Sequence, residues 1–350
     1  MYIQQCVEEQ RKRLRPWSAA LRRTQMQTTE AITSDQELEF AATLATALPS
    51  PPRMPPVELR LRVRTSPALR RLLPTRLMVS RAVRRGQALW EQSPAEREEA
   101  MAAVATVIAR TPRAREMGEI ARGHLIESEA DRALFWQPWS TPGLDAVSTE
   151  RLRDALVGDR GVVLSPCHTG PYPGSPELVL KALGYVPQLV AGPWFFDTPS
   201  PDPWGRRLAR WRKGSRAPVI NAKGSFPILV KLLERNVPVH LFFDMPGPHK
   251  TCFLGKPAML ADGSARLAVE SGALIVPIRT RRRGHDRHVD VAGPLDPREF
   301  AGVEEIHCAL AAQHERWILE RPEEMTDPRS FGWVATPDAW DRPRRADRPR

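Results

Sequence analysis

The sequence predicts an α/β fold, with a mixed, mostly parallel central sheet flanked by helices and a helical N-terminal region in front of it. Two observations lead to this prediction. From Gly161 onwards, short apolar runs of strand length alternate with longer runs of helix length, a pattern typical of a sheet covered by helices on both faces. Before that point the chain shows helix-start signals, such as Ser93-Pro94 followed by acidic residues in the first turn.

The predicted elements follow in chain order. One helix begins at Ser93 and another covers about 114–136, while Pro74 is expected to kink or split any helix through 69–83. Strands are predicted at 161–164, 187–190, 217–220, 237–243, 273–280 and 287–291. Helices are predicted at 175–183, 224–235, 261–271 and 304–320. Ser175 is expected to cap the first of these four helices, with Pro176 at its first position.

The composition divides the chain into four segments. Residues 1–56 form a polar N-terminal extension that ends in a proline-rich linker, and 57–148 form a basic helical region. Residues 149–333 form the α/β domain. The last segment, 334–350, is charged and rich in proline, so it is expected to be disordered.

The net charge of +11 favours anionic partners such as a phospholipid surface, nucleic acid or phosphate-bearing cofactors. Residues 51–90 contain ten arginines and one acid, with leucines between the arginines. This pattern fits a basic amphipathic segment lying on an anionic membrane surface, and it fits equally well a surface helix of a basic protein. The arginines are not interleaved with aromatic residues in a nucleic-acid-binding motif, which argues against nucleic acid.

The N-terminus lacks an apolar core of signal-peptide length, and no apolar run is long enough to cross a membrane. Four scattered cysteines without a CxxC pair argue against a zinc ribbon and favour a reducing compartment. These observations predict a cytoplasmic protein that is peripheral to the cytoplasmic face of the membrane.

His168 is the leading candidate for chemistry. A short apolar run ends at Ser165-Pro166 and the histidine follows at once, in the loop where an α/β sheet presents its functional groups. An imidazole placed there can act as a general base; the alternative is a loop histidine bonded to backbone. Cys167 is not expected to join it, because neighbouring strand residues point to opposite faces.

The α/β region resembles the lysophospholipid acyltransferase superfamily, specifically the bacterial lipid A lauroyl/myristoyl acyltransferase branch. The resemblance spans about 149–333, with a weaker helical match from about residue 76. It is carried by the order and spacing of seven motifs: 161–168 GVVLSPCH, 241–244 LFFD, 253–257 FLGKP, 263–268 GSARLA, 271–277 SGALIVP, 293–297 GPLDP and 317–323 WILERPE.

The resemblance implies transfer of a fatty acyl group from an acyl-CoA or acyl-carrier-protein thioester to a hydroxyl of a lysophospholipid or glycolipid. It assigns His168 as the general base and requires no metal, no cofactor and no covalent acyl-enzyme. The implied partners are the thioester donor, an acyl carrier protein, the lipid acceptor and an anionic membrane surface. Alternatives are a specialised metabolite as acceptor, or a catalytically degenerate member that binds lipid or nucleic acid.

The sequence departs from the family pattern beside the histidine. Family members carry an acidic residue five positions after it, which orients the imidazole, whereas this chain has Pro173 there. Either Glu177 is the displaced orienting carboxylate, or the acid is lost and Asp244 or a backbone carbonyl fixes the tautomer.

Other residues are weaker candidates for substrate binding. Lys256 and Arg266 are predicted to meet a phosphate of donor or acceptor, against the alternative of ordinary exposed cations. Trp194 and Phe195 are predicted to wall an acyl pocket or lie at a lipid interface, against the alternative of core packing. The run of arginines at 279 and 281–283 is expected to be a solvated charge cluster, with a carrier-protein or membrane contact as the alternative. His249, His285 and His288 are expected at the surface without metal-ligand neighbours.

Overall fold

The structure is a computed structural model that describes residues 72–135, 141–192 and 219–326. Its strands are β1 (Val162–Pro166), β2 (Gln188–Ala191), β3 (Val219–Asn221), β4 (Val239–His240), β5 (Pro246–Phe253), β6 (Lys256–Leu260), β7 (Leu274–Arg283) and β8 (Asp286–Val291). Six of them form one sheet in the order β3-β2-β4-β1-β7-β8. All neighbours in this sheet are parallel except β7 and β8. The predicted mixed, mostly parallel sheet is confirmed.

Helices precede the sheet and cover it. They are α1 (Thr75–Gln92), α2 (Pro94–Ile108), α3 (Met117–Phe135), α4 (Ala146–Val157), α5 (Ser175–Ala182), α6 (Phe226–Leu233), α7 (Gly263–Ser271) and α8 (Val303–Glu320), with 3-10 turns at Pro112–Glu116, Pro297–Glu299 and Pro322–Glu324. No helix in the described ranges is long and apolar enough to cross a membrane. Every helix predicted within those ranges is present, with shifted ends.

Alternation along β1 builds a separate core on each side of the sheet. Val163 packs with residues of α2, α3, α6, α7 and α8, whereas Val162 and Leu164 pack with residues of α4 and α5. The strand is buried throughout, as expected for a central parallel strand covered on both faces. A side chain that follows β1 or β4 can therefore be assigned to one side of the sheet by its parity.

Three local predictions need correction. Pro74 does not split a helix, because α1 begins immediately after it and Pro74 occupies the N-cap position. Ser175 is not the cap of α5; Gly174 is, and the Ser175 hydroxyl donates to the carbonyl of Pro171. The strand predicted at 237–243 has only two residues in ladder geometry, Val239 and His240.

The hairpin β5–β6 was not predicted. Its strands pair antiparallel, with a register shift between Pro246 and His249. Three prolines and two glycines in 246–257 obscure the alternation on which a strand prediction depends. The hairpin joins the sheet to α7 and packs against α8 through buried residues such as Phe253 and Leu260.

Close packing of α1 on α3 leads to a stability prediction. A Cβ atom added at Gly86 would lie 2.6 Å from Ile126 Cα and 2.9 Å from the Leu125 carbonyl oxygen. Gly86→Ala must therefore separate the helices, and we expect it to lower the free energy of unfolding by about 1–3 kcal/mol in urea titrations. Gly118→Ala is the matched control, because Gly118 is helical, exposed and has nothing within 4 Å of the added methyl. The control should stabilise by about 0.5–1 kcal/mol; equal effects of the two variants would contradict close packing as the cause.

Candidate functional site

The segment after β4 delivers three side chains to one side of the sheet. Beyond His240 the backbone continues beside β1, since Leu241 N–H donates to Leu164 O at 3.0 Å and Phe243 N–H donates to Pro166 O at 2.8 Å. The odd-numbered residues Val239 and Phe243 enter the core that contains Val163. By parity, His240, Phe242 and Asp244 lie on the opposite side, where α5 packs.

Asp244 holds His168 by two hydrogen bonds. The His168 backbone N–H donates to Oδ2 at 2.9 Å, and Nδ1 lies 2.8 Å from Oδ1. The carboxylate is fully buried and the imidazole nearly so. Because an ionised carboxylate can only accept, Nδ1 carries the hydrogen of the neutral ring and the lone pair lies on Nε2. The pair therefore has the geometry of a general base with its orienting acid.

Aromatic rings fix the plane of the His168 imidazole. Phe242 stacks on it with centroids 3.9 Å apart and planes 16° from parallel, while Tyr172 meets it edge-on at 4.8 Å. Burial, together with the negative charges of Asp244 and Asp131, raises the pKa of Tyr172 well above its usual range. Tyr172 is therefore a neutral phenol at physiological pH, and its hydroxyl is not a second anion beside the base.

Glu177 pairs with a different histidine. Its Oε1 lies 2.8 Å from Nδ1 of His240 on β4, and both side chains are buried. Its Oε2 has no hydrogen-bond partner among the described residues. The alternative in which Glu177 is the displaced acid that orients His168 is therefore not the arrangement in the structure. The Asp244 carboxylate takes that place because its residue follows β4, the strand next to β1.

The cations predicted to bind phosphate have other contacts. The Lys256 ammonium donates to the carbonyl oxygens of Ala105 and Thr106, at 3.3 and 2.8 Å, at the C-terminal end of α2. Burial lowers the pKa of Lys256. The guanidinium of Arg266 is exposed and lies 4.8 Å from the Phe226 ring centroid. Neither contact involves His168, so phosphate binding by these residues stays a prediction.

Two aromatic candidates, Trp194 and Phe195, lie outside the described residues. The expectation of an acyl pocket or lipid-facing wall built from them stays a prediction.

The arginine run is not a solvated cluster, contrary to expectation. Arg279 is buried and pairs with Asp290 at 2.8 Å and Glu320 at 2.9 Å, while Arg282 pairs with Glu127 at 2.6 Å. The alternation of β7 turns these side chains towards acids on β8, α3 and α8, which the linear sequence does not bring together. These pairs fasten the end of β7 to the helices around it.

Two of the histidines expected at the surface are buried. His249 lies 4.1 Å from His307, centroid to centroid, and His288 lies between the carboxylates of Asp145 and Asp290. His285 is half-buried, with Nε2 2.9 Å from the Ser80 hydroxyl. His249 is buried because it lies on β5 of the hairpin, which was not predicted. His288 is buried by its place on β8.

In the described ranges, one group of side chains has the ligand types of a metal site: Asp145, His288 and Asp290. Arg281 Nε lies 2.6 Å from Asp290, and Arg283 reaches Asp290 at 3.4 Å and Asp145 at 3.8 Å. Guanidinium groups thus already neutralise both carboxylates. The composition fits an ion-pair network better than a cation site.

Two buried histidines on α8 are expected to lower the free energy of unfolding as the pH falls. Burial lowers the pKa of His307 to about 3 and that of His314 to about 4. Between those values and about 6.5 the unfolded chain binds more protons than the folded one, so stability falls as pH falls through this window. Glu324 acts in the opposite sense, because burial raises its pKa to about 8 and the folded state gains protons as pH falls.

The contribution of His314 is measured as a difference between proteins. Between pH 7 and pH 5 the wild-type protein should lose about 2 kcal/mol more of its free energy of unfolding than His314→Leu. Urea titrations at both pH values give this quantity, and the opposing carboxyl groups cancel because they are present in both proteins. Parallel pH dependences of the two proteins would show that His314 is not held neutral by burial.

Sequence reasoning missed three residues of the site: Tyr172, His240 and Phe242. A signal existed for two of them, since His240, Phe242 and Asp244 are spaced by two along an apolar run. In a central strand that spacing places all three on one side. Tyr172 had no comparable signal, because its position depends on the turn between β1 and α5.

No protein-family model matches the chain, and no curated protein matches it. Among solved structures, the chain is similar to the 1-acyl-sn-glycerophosphate (LPA) acyltransferase PlsC from Thermotoga maritima. The two share 14% sequence identity with a TM-score of 0.33, and the match covers 57% of this chain and 81% of that chain.

Proposed function

We propose that the protein is an acyltransferase that moves a fatty acyl group from an acyl-CoA or acyl-carrier-protein thioester to a hydroxyl of a lysophospholipid or glycolipid. The observation that carries the proposal is the buried pair of His168 and Asp244 at the end of β1, which leaves Nε2 as the basic nitrogen. The resemblance of the seven motifs in 161–323 to the lysophospholipid acyltransferase superfamily favours acyl transfer over other reactions that use a base.

The reaction needs one proton shuttle. Nε2 of His168 takes the proton of the acceptor hydroxyl as its oxygen attacks the thioester carbonyl, and a tetrahedral oxyanion forms. Collapse of this intermediate breaks the carbon–sulfur bond, and the imidazolium returns the proton to the departing thiolate. Asp244 stabilises the imidazolium between the two steps, as the buried acid of a His–carboxylate pair does in acyl transfer by hydrolases. The products are an ester and a free thiol.

The N-terminal end of α1 supports a membrane-bound acceptor. Leu72 and Leu77 are 77% and 55% exposed, and the exposed arginines Arg76 and Arg81 lie beside them. Apolar side chains flanked by cations suit the boundary between acyl chains and anionic headgroups. We place the protein at the cytoplasmic face of the membrane, with the acceptor drawn from that surface and the thioester from the cytoplasm.

Thiol release tests the proposed reaction directly. Purified protein is mixed with palmitoyl-CoA, or with a palmitoyl-acyl carrier protein, in the presence and absence of a lysophospholipid in anionic vesicles. The proposal predicts thiol release that depends on the acceptor, together with formation of the acylated lipid by mass spectrometry. Thiol release without acceptor dependence would point to a thioesterase. If neither donor releases a thiol, the proposed acyl transfer is wrong.

A further inference from the structure

A second histidine–carboxylate pair lies in the same site. His240 and Glu177 are 4% and 6% exposed, and Nδ1 of the ring lies 2.8 Å from Oε1 of the acid. The two histidine rings of the site share one neighbour: the Phe242 ring centroid is 3.9 Å from that of His168 and 5.1 Å from that of His240. Both imidazoles are thus bound at Nδ1 by a carboxylate.

The second pair has two hydrogen-bond acceptors without a donor. Nε2 of His240 and Oε2 of Glu177 are both buried, and no hydrogen bond reaches either atom from the described residues. In the neutral ring whose Nδ1 hydrogen faces Glu177, Nε2 holds a lone pair. A buried acceptor without a donor is costly and rare in folded proteins. A water molecule or a hydroxyl group of a ligand can supply these donors.

The charge around Glu177 selects a neutral donor. Burial lowers the pKa of Arg287 to about 10, and the negative charges of Asp131 and Glu177 oppose that lowering. The guanidinium is therefore positive at neutral pH. Because burial raises the pKa of Asp131 well above its usual range, the Arg287 charge is left to compensate the Glu177 carboxylate. The guanidinium is held in place by the backbone carbonyls of Leu134 and Pro173. With that charge already balanced, hydroxyl groups fit the two acceptors better than an ammonium group does.

We infer that His240 and Glu177 form a binding site for a second hydroxyl group of the acyl acceptor, so that the acceptor is a diol or polyol. The inference rests on the proposed function, since His168 would deprotonate one hydroxyl while His240 accepts a hydrogen bond from another. His240 is then a specificity residue that touches the substrate, and Glu177 is a positioning residue that fixes its tautomer. This role explains why a histidine, and not an apolar residue, occupies a buried position on β4.

Two acceptors that differ by a single hydroxymethyl group test the inference. The first is 1-monopalmitoylglycerol, which has two hydroxyls, and the second is ethylene glycol monopalmitate, which has one. Wild-type kcat/KM should be at least about tenfold higher for the diol, because a site built around a hydroxyl discriminates against the analogue that lacks it. His240→Gln keeps a donor towards Glu177 and should remove most of this preference, through a rise in KM for the diol.

His307→Gln is the matched control. His307 is also buried with an unpartnered Nε2, but its ring lies 5.2 Å from Phe243, on the other side of the sheet. This variant should keep the wild-type preference for the diol. An unchanged preference in His240→Gln would overturn the inference, whereas equal losses of preference in both variants would attribute the effect to core destabilisation and overturn it as well.

If no acceptor is acylated, the proposed function fails, but the binding of a hydroxyl group by His240 can still be tested by NMR of the imidazole nitrogens. The Nε2 resonance of His240 is assigned by its loss in His240→Gln, and 1-monopalmitoylglycerol is added without a thioester. A hydrogen bond from the diol should shift this resonance, and ethylene glycol monopalmitate should shift it less. A resonance that does not respond to the diol would mean that the pair holds only water.

Discussion

His168→Ala is expected to lower kcat for acyl transfer by about 10²–10⁴-fold, the range typical for loss of a general base. The reason is that His168 follows β1 directly and is oriented by the buried Asp244 carboxylate, whereas the second pair in the described residues, His240 and Glu177, is placed on β4. The measurement is thiol release from palmitoyl-CoA in the presence of a lysophospholipid. Circular dichroism of the variant checks that the sheet is intact.

His285→Ala is the control for this result. His285 is half-buried at the turn between β7 and β8, where its ring contacts Ser80. Its removal should leave kcat within about twofold of wild type, because surface substitutions rarely reach a distant site. Thiol release by His168→Ala at the wild-type rate would remove His168 from the mechanism.

Asp244→Asn is expected to lower kcat by about 10³-fold or more, although the side chain keeps its size. The two Asp244 oxygens accept from two N–H groups of the same residue, the backbone amide and Nδ1 of His168. An asparagine has only one oxygen, so its amide nitrogen must face one of these N–H groups. The ring then loses the tautomer in which Nε2 is basic, the same defect that disables a serine protease when its buried aspartate becomes asparagine.

The predicted defect of Asp244→Asn is in kcat, with KM for the acceptor changed less. Asp145→Asn provides a matched control: Asp145 also accepts from a backbone N–H, that of Ser148 at 2.7 Å, and it also lies near a histidine, His288. The control variant should retain wild-type kcat because the cap of α4 is not part of the site. Wild-type kcat in Asp244→Asn would show that a different group orients His168.

Much of the fold could be predicted from local patterns. The alternation of apolar runs gave the strands β1, β7 and β8 and the helices α6, α7 and α8 to within a few residues, because each buries a face or a stripe of its own sequence. The hairpin β5–β6 escaped prediction, since its prolines and glycines carry no alternation. Because the hairpin was not predicted, His249 was expected at the surface, whereas β5 buries it.

The candidate site was predictable only in part. His168 could be found because its position after a buried strand is a local property of 161–168. Its partner could not be assigned, because the choice between Glu177 and Asp244 depends on which strand lies next to β1. Both alternatives stay open in the sequence. Glu177 is nine residues away along the chain, whereas the parallel pairing of β1 with β4 brings Asp244 to the imidazole from 76 residues away.

Local sequence patterns are enough to predict the class of fold, a histidine at the end of a central strand and the apolar faces that build the two cores. These three features depend on local periodicity and turn residues, whose effects extend over only a few residues of the chain. Which carboxylate meets which histidine depends on the tertiary structure. It paired His168 with Asp244 and His240 with Glu177, because strand order and side-chain parity, not distance along the chain, set the contacts between neighbouring strands.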